Sequence, residues 1–344
     1  HFVNAKDAKL FPPYNNEIST VDHTLFLAGA MPAASYFGGD VAKQVDAIAA
    51  ATNWRAFQVG DEGMISFAWK PTDNSDVSGT GAYMDLTWKL ASDEERLVYF
   101  LATGCPTEQF AVEPQKYYHL LRRTGQLNDM PPFVVSWNGA LFTYFFSHCY
   151  INYRAFDADD PAQFGESGPR VDWFENSRRA TLAHRQRCIE YADKFSTFAT
   201  DRWGLSPCMG KIGSNAHWDY LVQDLLPNWS GREETFRGTI APYAAGSSIM
   251  FTPSESMTAL HAFRNLKGDD GKPLAWREPT EGGYAFVDSF NVETQVASDD
   301  NIAIDVGPML LAIENARTGL IWKLFMQHAD AQRAVARLRL APLR

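Results

Sequence analysis

Apolar residues recur at helical spacing along most of this chain, and this periodicity limits its fold more than any other sequence feature. Together with caps and breakers, the spacing predicts about ten helices. They lie near residues 20–36, 40–53, 92–104, 113–125, 138–152, 170–194, 216–226, 239–246, 254–266 and 308–328. Strand-like alternation is confined to short pieces at 64–69, 133–136 and 284–287. The sequence therefore predicts a mainly α fold.

The connections between the predicted helices bear on domain organisation. A chain of 344 residues is long enough for two domains of about 100–200 residues each. However, the loops at 71–81, 157–169, 210–214 and 267–283 lack the biased composition of a flexible linker. The self-similarity at about 33–47 residues that marks stacked helical repeats is also missing. We therefore expect one domain over 1–344, and many helices with long connections suit an α/α toroid with a cleft at one rim.

The charge balance narrows the possible partners. Lys and Arg number 31 against 41 Asp and Glu, which gives a formal net charge of −10. A negative field of this kind repels phosphate backbones and anionic membrane surfaces. The longest weakly polar stretch, residues 24–37, is shorter than the roughly 18–20 residues that span a bilayer, and it contains Pro32. We expect neither a nucleic-acid partner nor membrane insertion.

The aromatic content points to a class of ligand. The chain has 10 Trp, 13 Tyr and 23 Phe, and rigid rings of this kind suit a cleft for neutral polyhydroxylated ligands, although core packing is their commoner use. Motifs for nucleotide or metalloprotease chemistry are missing from the sequence: there is no G-x-x-x-x-G-K-[ST], H-E-x-x-H or G-x-S-x-G. No cofactor is predicted.

The cysteines and one group of acidic residues are the candidates for disulfide bonding and metal binding. The four cysteines (Cys105, Cys149, Cys188 and Cys208) form no C-x-x-C pair and no zinc spacing with histidines, while a disulfide remains open. The acids of one loop (Asp157, Asp159, Asp160 and Glu166) could bind calcium, but a solvated acidic loop is the favoured interpretation. The sequence predicts no metal site.

Ordered motifs extend over nearly the whole chain. They are EISTVDHTLFLAG at 17–29, YFGGD at 36–40, LATGCPT at 101–107, FFSHCYINYR at 145–154, DWFENSRRATLA at 172–183, WGLS at 203–206, GTIAPYAA at 238–245, YAFVDSFN at 284–291 and IDVGPMLLAIENARTGLIW at 304–322. In this order they resemble the bacterial glycoamylase-like domain, which includes the endo-β-1,2-glucanases of glycoside hydrolase family 144. The resemblance implies an (α/α)6 toroid, a secreted or periplasmic setting and hydrolysis of a β-linked glucan, with β-1,2-glucan the characterised substrate class.

The chemistry of glycoside cleavage selects candidate catalytic residues. One carboxylic acid must protonate the leaving oxygen, and a second carboxylate must activate water or attack the anomeric carbon. In the family a Glu lies about ten residues before the Gly of the LATGCPT-like run, which assigns Glu94 as the general acid; the alternative is an ordinary acidic helix N-terminus. Asp288, flanked by Phe286 and Val287, is the candidate base because an unpaired carboxylate is costly to bury.

Further candidates complete the predicted site. Asp22 and Asp305 are the next catalytic candidates, and either could instead be a structural cap or an acceptor for a sugar hydroxyl. We expect the four acids to converge on one cleft. Substrate-binding candidates, each with core packing as the alternative, are Trp203, Tyr243, His148 and Arg154. A catalytically silent glycan-binding protein, or a transglycosylase or phosphorylase on the same fold, remain open alternatives.

The chain departs from the family pattern in two places. After Trp-Gly-Leu the family has an Asp-Gly-Pro-type turn, whereas this chain has PCMG at 207–210 and an insertion that includes HWDY at 217–220 and GREE at 231–234; Phe236 and Arg237 replace an acidic pair. These changes bear on linkage, chain length and endo versus exo action. The chain also begins where family members have completed about three helices. We interpret it as N-terminally incomplete and expect its first helix to expose an apolar face.

Overall fold

The computed structural model describes residues 4, 6, 7, 9, 16–137, 139–212, 217–221 and 238–343. Within these residues, helices dominate and the strands are short. The chain divides into two compact units. Unit 1 comprises His1–Leu121, Ala155–Arg170 and Lys323–Arg344, and unit 2 comprises Arg122–Arg154 and Val171–Trp322. The single domain over 1–344 stays a prediction.

The helices of the described residues are mostly those that the periodicity predicts. They are α1 (Thr20–Phe37), α2 (Gly39–Ala51), α3 (Asp93–Gly104), α4 (Gln115–Tyr118), α5 (Trp173–Glu190), α6 (Pro242–Ser247), α7 (Pro253–Asn265), α8 (Ala303–Thr318), α9 (Leu320–Gln327) and α10 (Ala329–Arg337). No helix in these ranges combines the length and the apolar character that crossing a bilayer requires.

The strands form small antiparallel sheets. They are β1 (Ile18–Ser19), β2 (Gln58–Val59), β3 (Met64–Ile65), β4 (Ala68–Pro71), β5 (Gly81–Tyr83), β6 (Thr124–Gly125), β7 (Phe133–Val134), β8 (Cys208–Ile212), β9 (His217–Leu221), β10 (Trp276–Arg277), β11 (Ala285–Phe286), β12 (Ser289–Asn291) and β13 (Val296–Ser298). One sheet has the order β1-β4-β5, and the others are pairs: β2-β3, β6-β7, β8-β9, β10-β11 and β12-β13.

Unit 1 is built around α3, which packs against α1 and α10. The apolar side chains of α3 from Leu97 to Leu101 are buried, so this helix forms the centre of the unit. At its C-terminal end, a Cβ on Gly104 would lie 2.5 Å from the Asp330 carbonyl oxygen of α10. Glycine at this position therefore permits the close approach of the two helices.

Three large aromatic side chains of α1 are exposed, whereas the apolar face expected from an incomplete N-terminus stays a prediction. On α1, Phe26 is 54% exposed, and Tyr36 and Phe37 at its C-terminal end are also exposed. The helix ends at Gly38, whose φ of 63° is a conformation that glycine adopts without strain, and α2 begins at the next residue.

Unit 2 is built around α6, α7 and α8, with α6 packed against both of the others. Strand β8 runs beside β12 and β13, and Phe290 of β12 packs its ring against Phe263 of α7 at 5.2 Å between ring centres. The backbone of Phe290 also exchanges hydrogen bonds with Ile240, just before α6. This arrangement ties the β12 region, which follows Asp288, to the helical core of the unit.

Four of the predicted helices differ from the observed structure. Residues 113–125 contain only α4 and then β6, and residues 138–152 form short 3-10 turns at Leu141–Tyr144 and Ser147–Cys149. Residues 217–221 of the range 216–226 form β9, and the remainder lies outside the described residues. The last predicted helix divides at Gly319, where φ is 68°, and α10 was missed. In 138–152 the aromatic side chains are buried on all sides, so their pattern does not distinguish a helix from compact turns.

Candidate active site

Glu94 lies in the first turn of α3, in a tightly fixed helix start. Ser92 and Glu95 form a reciprocal capping box, with the Glu95 N–H donating to Ser92 Oγ at 3.2 Å and the Ser92 N–H donating to Glu95 Oε2 at 3.3 Å. Asp93 and Arg96 form a buried ion pair on the same turn. These contacts hold the backbone that presents Glu94, whose own side chain remains partly exposed.

The environment of Glu94 favours its protonated form. Burial, and to a smaller extent the negative charge of Asp22, raise the pKa of Glu94 to about 8. A carboxyl group with this pKa carries its proton at neutral pH. Glu94 therefore has the protonation state that a general acid needs.

Asp22 belongs to the first turn of α1 and is exposed. The start of this helix is fixed by Thr20, whose hydroxyl donates to the Ser66 and Phe67 carbonyl oxygens and accepts a hydrogen bond from the Trp88 indole N–H at 2.9 Å. Trp88 in turn precedes α3. The same tryptophan thus links the helix that carries Asp22 to the segment that leads to Glu94.

A second carboxyl pair lies in unit 2. Asp288 immediately precedes β12, and Asp305 lies in the first turn of α8; their exposed fractions are 1% and 0%. The Met209 N–H donates to Asp288 Oδ2 at 2.7 Å, and the Tyr220 hydroxyl donates to Asp305 Oδ1 at 2.9 Å. The two carboxyl groups lie close enough to interact directly with each other.

The surroundings of Asp288 and Asp305 act differently on the pKa values of the two carboxyl groups. Burial, with a smaller effect from the neighbouring Asp288, raises the pKa of Asp305 to about 9, although hydrogen bonding from Tyr220 and Tyr243 lowers it. Burial also raises the pKa of Asp288, but the Met209 N–H and the hydrogen bond with Asp305 lower it. The net pKa of Asp288 is still raised, but of the two groups Asp305 is the one whose surroundings favour the protonated form more strongly.

Hairpin β8-β9 supplies the Met209 and Tyr220 contacts to this pair. Met209 and Tyr220 face each other in the hairpin register, and the Ser289 hydroxyl donates to the Met209 carbonyl oxygen. Sequence reasoning missed Tyr220 as a site residue and placed a helix over its position. The signal that was available is the aromatic insertion at 217–220, which departs from the family pattern.

Similarity to known proteins identifies the family of this chain. Residues 85–329, more than half of the chain, match the model of the Glycoamylase family, which is described as "Putative glucoamylase". The chain belongs to this family. A relative from Parabacteroides distasonis, named exo beta-1,2-glucooligosaccharide sophorohydrolase (non-reducing end), is 25% identical over 373 aligned residues. The alignment covers 98% of this chain and 46% of that protein, so the chain spans less than half of this relative's length.

Two solved structures share the fold. The endo-beta-1,2-glucanase of Chitinophaga pinensis, in complex with sophorotriose and glucose, aligns with a TM-score of 0.77 at 20% identity over 98% of this chain and 75% of that one. A "putative glucoamylase" of Bacteroides uniformis aligns with a TM-score of 0.75 at 24% identity over 98% of this chain and 76% of that one. The predicted fold class, mainly α with a toroid of the glucanase type, is confirmed.

The four predicted substrate-binding residues differ in their exposure to solvent. His148 and Trp203 are buried, with exposed fractions of 1% and 0%, and the His148 ring contacts Ser177 Oγ at 3.0 Å. The environments of His148 and Trp203 therefore fit the alternative of core packing in place of substrate binding. Tyr243 is also buried, but it lies beside Asp305 and its hydroxyl donates to the Pro207 carbonyl oxygen at 2.5 Å. Arg154 is exposed, with its guanidinium 5.2 Å from the centre of the Phe174 ring.

The cysteines and the acidic loop engage in ordinary structural contacts. All four cysteines are buried free thiols, so the disulfide alternative is wrong for this structure. Two of the loop acids, Asp157 and Asp160, lie within 4 Å of the Arg170 guanidinium, and Glu166 pairs with His119 at 3.0 Å. Within the described part of the chain, no group of three His, Cys, Asp or Glu side chains could hold a metal ion.

Proposed function

We propose that this chain is a glycoside hydrolase that cleaves β-1,2-glucan, with Glu94 as the general acid. The observation that carries the proposal is a carboxyl group that stays protonated at neutral pH beside an exposed aspartate, Asp22. The names of the relatives, a β-1,2-glucooligosaccharide sophorohydrolase and an endo-β-1,2-glucanase, support the choice of linkage. A secreted or periplasmic location is part of the same proposal.

The reaction needs one proton donor and one ionised carboxylate. As the glycosidic C–O bond breaks, the proton of Glu94 passes to the leaving oxygen. In an inverting reaction, the oxygen of a water molecule then bonds to the anomeric carbon while its proton passes to the second carboxylate; in a retaining reaction, that carboxylate attacks first. Asp288 is the proposed second carboxylate, and Asp22 is the alternative that lies close to Glu94.

Incubation with a panel of linear and cyclic β-glucans tests the linkage. We expect products from β-1,2-glucan and little or none from β-1,3- or β-1,4-glucans. The anomeric configuration of the first product, read by NMR, decides between inversion and retention. Binding of β-1,2-glucan without any product would contradict the hydrolase and favour a silent glycan-binding protein; a product that forms only with phosphate or a second sugar would identify a phosphorylase or transglycosylase.

Glu94→Gln tests the role of the acid. The amide keeps the shape of the side chain but cannot donate the proton, so we expect kcat on β-1,2-glucan to fall about 10²–10⁴-fold with little change in glucan binding. An aryl glycoside with an acidic leaving group does not need protonation, so its turnover is expected to fall much less. Equal losses on both substrates would argue against Glu94 as the acid.

The same pair of substrates separates Asp288 from Asp22. Loss of the residue that activates water or attacks the anomeric carbon slows both substrates, whatever their leaving group. We expect this behaviour from Asp288→Asn. If Asp22→Asn shows it and Asp288→Asn does not, the second carboxylate is Asp22.

A further inference from the structure

We infer that Asp288 and Asp305 share a single proton, which resides on Asp305, and that Tyr220 of hairpin β8-β9 is a positioning residue that fixes this arrangement. The consequence for catalysis, that Asp288 is kept ionised as the base, rests on the proposed function. The sharing of the proton itself does not.

The contacts of the four carboxyl oxygens carry the inference. Asp288 Oδ2 accepts from the Met209 N–H, and Asp305 Oδ1 accepts from the Tyr220 hydroxyl. The other two oxygens, Asp288 Oδ1 and Asp305 Oδ2, are fully buried and accept no hydrogen bond from a donor group in the described residues. The two carboxyl groups nevertheless lie close enough to interact directly with each other. Two carboxylate anions offer only acceptors, so one of these groups must hold a proton.

The identity of the protonated group follows from the donors. A backbone N–H cannot give up its proton or turn away, so the Met209 contact stabilises a negative charge on Asp288. The Tyr220 hydroxyl, by contrast, can donate to the carbonyl oxygen of a neutral carboxyl group as well as to a carboxylate. With the proton on Asp305, that group donates to Asp288, and Asp288 then accepts two hydrogen bonds.

Within the residues that the structure describes, the ionisable groups that act on the pair do not supply a positive charge. Asp300 disfavours a charge on Asp288, Tyr243 lies beside Asp305, and the Cys208 thiol adjoins both Tyr220 and Tyr243. None of these groups is a cation. A second negative charge in the pair would therefore lack compensation, because burial of two adjacent anions is strongly unfavourable.

Tyr220 acts on this pair through geometry. Its hydroxyl holds Asp305 Oδ1, which leaves the other oxygen of Asp305 for Asp288. Its hydrogen bond also lowers the pKa of Asp305, against the larger effect of burial. Removal of the hydroxyl should therefore raise the pKa of Asp305 and loosen its orientation.

Titration of ¹³C-labelled aspartate carboxyl groups by NMR tests the inference without any assay of turnover. In the wild-type protein at pH 7 we expect one protonated aspartate, whose signal is lost in Asp305→Asn. In Tyr220→Phe this carboxyl should titrate at higher pH, whereas Tyr191→Phe, which removes a hydroxyl that contacts Arg187, should leave the titration unchanged. A wild-type spectrum with every aspartate ionised at pH 7 would overturn the shared proton, and an unchanged titration in Tyr220→Phe would overturn the role of Tyr220.

Kinetics on β-1,2-glucan then test the consequence for catalysis. An amide at position 305 still donates to Asp288, so Asp305→Asn should retain far more activity than Asp288→Asn, for which the expected loss in kcat is about 10²–10⁴-fold. Equal losses in the two variants would contradict the assignment of the base to Asp288. A protein that turns over no glucan but shows the protonated aspartate would refute the proposed function and leave the shared proton standing.

Discussion

Two effects of different size raise the pKa of Glu94. Burial is the larger, and the negative charge of Asp22 is the smaller. The two can be separated because Asp22 is exposed, so a change of its side chain does not open the core. Glu94 thus offers a direct measure of how one surface charge adjusts a catalytic acid.

Asp22→Asn should move the alkaline limb of the kcat/KM profile to lower pH. Removal of the negative charge makes ionisation of Glu94 easier, so its pKa falls; the shift is only part of the total because burial remains. The matched control is Asp40→Asn, which removes an exposed charge that forms an ion pair with Lys43. An alkaline limb that moves to higher pH, or that moves equally in Asp22→Asn and Asp40→Asn, would contradict the electrostatic role of Asp22.

Single residues were predicted better than their partners. An acid in an apolar or small-residue stretch is visible in the sequence, so Asp22, Asp288 and Asp305 could be named, and the family register assigned Glu94. Asp288 and Asp305 lie seventeen positions apart in the sequence, and their proximity depends on the tertiary packing of unit 2, which no local pattern records. Tyr220 was hidden for another reason, because its insertion has no counterpart in the family pattern.

At the scale of elements, close packing between helices depends on a small residue. Helix α3 carries Glu94 at one end and Gly104 at the other, where α10 passes within reach of a Cβ. Because that contact is with the Asp330 backbone, a side chain at position 104 cannot be accommodated by a change of rotamer. The packing of α3 on α10 therefore requires glycine there.

Gly104→Ala should destabilise the protein even though alanine favours helices. The higher helix propensity of alanine would by itself stabilise the folded protein by up to about 1 kcal/mol. Overpacking against the backbone costs about 1–3 kcal/mol, so the net effect is a lower free energy of unfolding. Gly307→Ala is the control: it lies in α8, and a Cβ there meets nothing within 4 Å. Thermal unfolding of both variants measures the difference, and equal or higher stability of Gly104→Ala would refute the close contact.

Elements were predictable where one face of a helix is buried and the other is exposed. Helices α1, α2, α5 and α7 were predicted with errors of only a few residues at their ends, because caps and amphipathic spacing agree. The segment 138–152 failed since nearly every side chain from Ala140 to Tyr153 is buried, which removes the contrast that reveals a helical period. Helix α10 was missed because its polar side chains, which reach back to α3, resemble a solvated tail.

For the molecule as a whole, buried acids make stability depend on pH in an unusual direction. The pKa values of Glu94 and Asp305 rise to about 8 and about 9 in the folded protein. The folded state therefore holds these protons more tightly than the unfolded state. Their contribution to stability is complete below the ordinary carboxyl pKa and is lost as pH rises through the folded values. Half-buried His23 and buried His184, whose pKa values are lowered, act in the opposite direction but only below about pH 6.5.

Between pH 7 and 9 we therefore expect the free energy of unfolding to fall. Each pKa unit between the folded and unfolded states corresponds to about 1.4 kcal/mol. Urea titrations across this range measure the slope, which should flatten in Asp305→Asn and in Glu94→Gln because neither amide titrates. The Asp40→Asn protein should keep the wild-type slope. A stability that rises from pH 7 to 9 would show that the two acids are ionised in the folded state.

Alkylation of the four buried cysteines can report where the protein unfolds. Burial raises the pKa of Cys105, Cys149 and Cys188, so these sulfurs are both shielded from alkylating reagents and held as unreactive thiols until the surrounding structure opens. Cys105 belongs to unit 1, and the other three cysteines belong to unit 2. Pulsed alkylation in increasing urea, read by peptide mass spectrometry, should modify all four together if the chain opens as one cooperative body. Early modification of Cys105 alone would instead reveal that the part of the chain carrying Glu94 opens first, and would give the proposed acid a stability separate from that of the Asp288–Asp305 pair.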